Sequence, residues 1–131
     1  HATACDPVVV LGNTAYITVR GGSSCGAIED QINVIDVTDI ANPTLLSTYL
    51  LNEPYGLGIK NGVLYVGCGA DGLKIFNAAN SAGLVLENSY ANNVKDVIPL
   101  DSHLITVGDN TITQYSYGPN FSLIQLSQIT L

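Results

Sequence analysis

A period of about forty residues runs through this chain and constrains it more than any other feature. Gly56-Leu57-Gly58-Ile59 and Val63-Leu64-Tyr65-Val66 align, forty residues later, with Asp96-Val97-Ile98-Pro99 and His103-Leu104-Ile105-Thr106. Leu73-Lys74-Ile75-Phe76-Asn77 matches Ile32-Asn33-Val34-Ile35-Asp36 at a spacing of 41, and Ile112-Thr113-Gln114-Tyr115-Ser116 at 39. Val8-Val9-Val10 and Ala15-Tyr16-Ile17 take the same places near the N-terminus, offset by about 49 because the stretch from Gly21 to Asp30 is longer than its counterparts. Three repeats, approximately 5–51, 52–91 and 92–131, therefore fill the 131 residues as one repeat domain.

Each repeat reads as β. Val34-Ile35, Leu64-Tyr65-Val66 and Ile105-Thr106-Val107 are short β-branched and aromatic runs bounded by Gly, Asn, Asp and Pro. Asp71-Gly72 and Lys60-Asn61-Gly62 carry the chemistry of tight hairpins, whose central residues need positive φ. Asn42-Pro43 and Gly118-Pro119-Asn120 mark the following turn. No segment keeps a helical apolar stripe for three turns. Each repeat is thus four short antiparallel strands, A to D, expected in the middle repeat at 56–60, 63–68, 72–77 and 83–89. The fold class is all-β.

The run Ile32-Asn33-Val34-Ile35-Asp36-Val37-Thr38-Asp39-Ile40-Ala41-Asn42-Pro43 resembles the bacterial LVIVD repeat, a β-propeller blade. Gly72-Leu73-Lys74-Ile75-Phe76-Asn77 fits with Asn in place of Asp, and the third copy, from Ile112 to Pro119, has Ser116 there. The resemblance implies three propeller blades in a bacterial protein that is secreted or displayed on the cell surface. It implies no activity, because the motif is structural. Propellers close with four or more blades, so three would leave two open flanks that invite association. A ring completed by a second chain, a filament or a fragment of a larger propeller each answers that problem. The β-prism and β-trefoil also use three such repeats, and both are lectin scaffolds. A trefoil usually carries a Gln-x-Trp-like signature, and this chain has no Trp.

Composition narrows the partners. Four basic residues face eleven acids, giving a net charge of −7. No basic run could neutralise phosphates, which argues against nucleic acid. No apolar run approaches the length of a spanning helix. Few lysines and a plausible disulfide suggest an extracellular protein, and the start at His1 reads as a processed or trimmed product. Asn120-Phe121-Ser122 fits a glycosylation acceptor.

In an up-and-down blade, the start of strand A and the B–C turn share one end. Cys5 and Cys25 can therefore meet as a disulfide worth roughly 3 kcal/mol by loop entropy, the alternative being two thiols. Cys68 reads as a buried free thiol, or as a bridge to another chain. The same rim collects the candidate ligand-binding residues Asp6, Glu53, Tyr55, Asp71, Asn93 and Asp96. Clustered acids and amides with one aromatic suit a sugar or a calcium ion, against the plainer reading that turn acids solvate the sheet ends. Catalytic patterns are scarce. His103 falls in the A–B turn at the opposite end, and no nucleophile elbow is present. Asp71 and Asp96 could serve a hydrolase or lyase only if held about 5–9 Å apart. The expectation is a non-enzymatic, self-associating structural or binding module, without cofactor unless calcium. Carbohydrate or another surface protein is an alternative partner.

Overall fold

A computed structural model of the chain describes residues 7–22 and 27–131. Among them, twelve strands make three sheets and there is no helix. The first sheet is β1 (Val8–Leu11), β2 (Thr14–Val19), β3 (Gln31–Asp36) and β4 (Thr44–Leu50). The second is β5 (Leu57–Lys60), β6 (Val63–Gly67), β7 (Leu73–Asn77) and β8 (Val85–Tyr90). The third is β9 (Asp96–Pro99), β10 (His103–Val107), β11 (Thr111–Tyr117) and β12 (Leu123–Thr130). Each sheet is an antiparallel meander in chain order. The strands expected in the middle repeat fall within two residues of these bounds.

Local chemistry accounts for most of the boundaries. Asn61 and Gly62 both have positive φ (50° and 73°), the pairing that matches a two-residue hairpin to strand twist. Asp71-Gly72 is different from the expectation. Gly72 has a φ of 93° but Asp71 is not left-handed, and Gly69 (55°) supplies the second such position. The B–C connection is therefore a wider loop, closed by Cys68 N donating to Gly72 O at 2.7 Å. At the end of β3, Asp36 Oδ1 accepts from Thr38 N, and at the end of β7 Asn77 Oδ1 accepts from Ala79 N. Both turns use a side chain in place of a ladder partner. Ser116 makes no such turn, and β11 runs on to Tyr117. All three C–D pairs carry a bulge at equivalent places, Val34/Ile35, Ile75/Phe76 and Gln114/Tyr115.

The first strands of the sheets lie side by side, β1 against β5 and β5 against β9, with no comparable contact between β9 and β1. Two apolar cores result. Tyr16, Ile32 and Val34 of the first sheet meet Leu57, Leu64, Val66 and Phe76 of the second. Tyr65, Leu73 and Ile75, on the other face of the second sheet, meet Val97, Leu104 and Tyr115 of the third. Tyr49 packs edge-on to Phe76 across the first junction, ring centroids 5.0 Å apart. The arc is open, so the threefold closure of a prism or trefoil is not formed.

Candidate functional site

The A–B and C–D turns lie at one end of every sheet, and the B–C turns and D–A connections at the other. That second end holds the candidate ligand-binding residues that are described. Asp6, Cys5 and Cys25 lie outside the described residues. The rest are distributed as follows.

Tyr55 is the centre of the rim. Its backbone is pinned on both sides, with N donating to Gly67 O at 2.7 Å and O accepting from the buried Thr18 hydroxyl at 2.8 Å. Arg20 Cζ stands 4.3 Å from the ring centroid and Lys95 Nζ 5.5 Å, so two cations contact the ring's π system. Glycine is required beside it: Gly69 has positive φ, and a Cβ there would come within 2.9 Å of Tyr55 Cε2. Glu53 is itself left-handed (φ 44°), and its N–H donates to Asp30 Oδ2 at 2.8 Å. Asp30 Oδ1 accepts from Gly21 N at 2.6 Å, tying the first B–C loop to the first D–A connection.

Asn93 and Asp109 clasp one another. Asn93 Nδ2 donates to Asp109 Oδ2 at 3.1 Å, and Asp109 N donates to Asn93 Oδ1 at 3.0 Å. Asp109 also forms an ion pair with Lys95. Hydrogen bonding to Asp109 raises the Lys95 ammonium above its ordinary range, and the same bond lowers the Asp109 carboxyl. Asp96 caps its own strand, Oδ1 accepting from Val97 N at 2.9 Å. A Cβ on Gly56 would come within 2.9 Å of Asp96 Cα, so glycine permits that close approach.

A hollow of about 240 Å³ opens among Pro7, Arg20, Tyr55, Gly56, Lys95 and Asp96. Tyr55 and Asp96 are thus brought together. Glu53 and Asn93 are supporting neighbours, and Asp71 is drawn off to Lys74 at 3.3 Å. The expected cluster of acids and amides is replaced by an aromatic ring flanked by two of the chain's four cations and one carboxylate. Among the described residues, no three His, Cys, Asp or Glu side chains group as a metal site. Arg20 and Lys95 are the residues that sequence reasoning undervalued, and the signal was present in the scarcity of cations. Cys68 lies fully buried and free below this rim, and desolvation pushes its thiol up to about 12.

A larger cleft, about 450 Å³, opens at the opposite end between the second and third sheets. His103 lies near it, at the start of β10, with Nδ1 2.9 Å from Ser102 Oγ. Tyr16, Tyr65 and Tyr115 are buried within the two cores.

No family model and no curated protein matches the chain. Solved structures do. The N-terminal domain of Nup159 is similar at 11% identity with a TM-score of 0.58, over 95% of this chain and 30% of that one. A chain in the S. cerevisiae structure of dbp5 bound to nup159, gle1, IP6 and ADP is similar at 11% identity, with a TM-score of 0.59 and the same coverages. The likeness is one of fold: three sheets arranged as propeller blades, spanning about 30% of the length of the chains they match.

Proposed function

We propose that this chain is a non-enzymatic structural and binding module whose three blades are completed by blades of a second copy of itself. One observation carries the reading. Val8 and Val10 occupy, in the first repeat, the places of Leu57 and Ile59 in the second. Leu57 and Ile59 are packed into the core against the preceding sheet, whereas Val8 and Val10 are exposed. The far face of the third sheet exposes Ile98 beside Ile105, with Ile112 and the polar Gln114 in the places that Ile32 and Val34 hold in the first sheet. That face is equivalent to the one through which Tyr16, Ile32 and Val34 of the first sheet receive the second. The two flanks are therefore the two halves of one junction. A third sheet from one copy can receive the first sheet of the next, closing as a six-bladed ring or growing as a filament.

The resemblance to the LVIVD repeat and the low lysine content support an extracellular or bacterial cell-surface setting. The drawing of Asp71 to Lys74, out of the hollow that Asp96 lines, speaks against a carboxylate pair for hydrolysis.

Light scattering across a concentration series tests the assembly. A dimer or larger species at micromolar concentration is expected, unchanged by reductant because Cys68 is buried. A monodisperse 13.7 kDa species at every concentration would overturn it.

A further inference from the structure

We propose that the cleft between the second and third sheets, at the end opposite the Tyr55 rim, binds a neutral pyranose sugar. Its volume of about 450 Å³ lies within the range of roughly 300–1,000 Å³ usual for small-molecule sites. Three rings line it: Tyr65, Tyr117 and Phe121. Tyr65 and Tyr117 have centroids 6.2 Å apart with planes tilted by 44°. The Tyr117 hydroxyl donates toward the Leu100 and His103 carbonyls at 2.8 and 3.0 Å, which fixes that ring.

Tyr65 supplies the observation that points to a ligand. It is only 6% exposed, and burial pushes its hydroxyl up to about 12. Tyr115 and Tyr90 both satisfy their hydroxyls, through Asn92 and the Leu123 backbone. The Tyr65 hydroxyl makes no hydrogen bond to any described residue. A buried polar group without a partner is costly and calls for an explanation. A sugar hydroxyl seated in the cleft supplies the missing partner.

The wall of the cleft is held in a strained shape. Asn120 and Phe121 are successive left-handed residues, φ 54° and 61°, a backbone that a bulky side chain rarely adopts. Asn88 Nδ2 donates to Phe121 O at 3.2 Å, and Ser122 Oγ to Pro119 O at 2.6 Å. These bonds keep the Phe121 ring on the cleft.

The remaining groups decide the ligand class. Asn61, Asn120 and Ser122 offer neutral donors and acceptors around the rings. The two charges, Lys60 and Asp101, neutralise each other at 2.7 Å, so nothing at the mouth selects an ion. Apolar ring faces alternating with amides fit a pyranose, whose C–H face stacks while its hydroxyls bond at the edge. Asn61 and Asn120 are exposed at the mouth, where a sugar hydroxyl can take the place of water on their amides. The inference is independent of self-association, because this cleft lies between two sheets of one chain.

Saturation-transfer NMR and calorimetry with cellotriose and chitotriose test it, on protein expressed in bacteria so that Asn120 carries no glycan. Binding of at least one probe at millimolar or tighter Kd is expected. Phe121→Ala should weaken it about tenfold or more, and Tyr65→Phe about three- to tenfold. Ile28→Ala, in the exposed first B–C loop away from the cleft, should leave it unchanged. If Phe121→Ala fails to fold, Tyr65→Phe decides, since it removes only one oxygen. No saturable binding of either probe at about 10 mM, binding indifferent to Tyr65→Phe, or loss of binding in Ile28→Ala would each overturn the proposal.

Discussion

Leu57 and Val8 stand at one position of the repeat, and their environments are opposite. Leu57 is 5% exposed because the first sheet covers it; Val8 is 54% exposed because no sheet of the described residues lies against it. The same contrast holds across the third position of the arc, where Val97 is buried and its neighbour Ile98, facing outward, is 46% exposed. Strand propensity is alike at all these sites. Burial is decided by whether a neighbouring blade is present, so among the described residues the middle blade has both faces in a core.

The sharpest test of that contrast is truncation on either side of it. Phe76→Ala, fully buried against Tyr49, should lower unfolding stability by about 3–5 kcal/mol in a urea titration. Val8→Ala in dilute protein should cost less than about 0.5 kcal/mol. A Val8→Ala loss near that of Phe76→Ala would mean the first flank is already covered, and would break the comparison.

Glycines probe the second junction in the opposite sense, by adding volume. A Cβ on Gly58 would meet Pro99 Cγ at 2.9 Å, and the ring cannot yield without moving β9. Gly58→Ala should therefore cost about 1–3 kcal/mol. Gly83→Ala faces open space and should be neutral within about 0.5 kcal/mol. Equal midpoints for the two variants would show that β5 and β9 are not in tight contact.

Thiol chemistry sharpens the first junction. With its pKa near 12, Cys68 should not react with a disulfide reagent at pH 8 in the native protein, and should react at once in denaturant. Rapid native labelling traced to Cys68 by mass spectrometry would show that this core opens.

The smallest effect belongs to the exposed carboxylates. Asp36, Asp39, Asp101 and Asp109 all have carboxyls lowered from 3.8, by hydrogen bonds from Thr38, Asn42, Lys60 and Lys95 respectively. A lowered folded-state pKa contributes stability that is present above the unfolded value and is lost as pH falls through the folded one. The melting temperature should be flat from pH 7 to about 5 and decline modestly below about 4. Asp109→Asn should reduce that decline slightly, and a melting temperature that rises on acidification would contradict the assignment.

Much of this architecture is written in short stretches of sequence. Alternation of side chains sets which residues share a face, and Asn61-Gly62 sets a hairpin, because both act within a few residues. Asp36 and Asn77 end their strands for the same local reason. Asp71-Gly72 misleads because the wider loop depends on Gly69 as well, and no dipeptide shows which two glycines will be left-handed together. The rim was legible as a place, since topology alone puts D–A connections and B–C turns at one end. Its chemistry was less so: Arg20, Tyr55 and Lys95 are separated by 35 and 40 residues and meet only when three sheets stack. The cleft at the other end was not legible, because Tyr65 and Phe121 belong to different repeats.

The forty-residue period, the strands, their order and the face each side chain takes were determined by the sequence itself, since β pairing in a meander is set by neighbours along the chain. Which apolar faces become cores and which remain flanks, which acid pairs with which lysine, and which tyrosine hydroxyl makes no hydrogen bond to a described residue were decided by tertiary structure. Those outcomes depend on contacts between sheets, and packing between sheets has no local code.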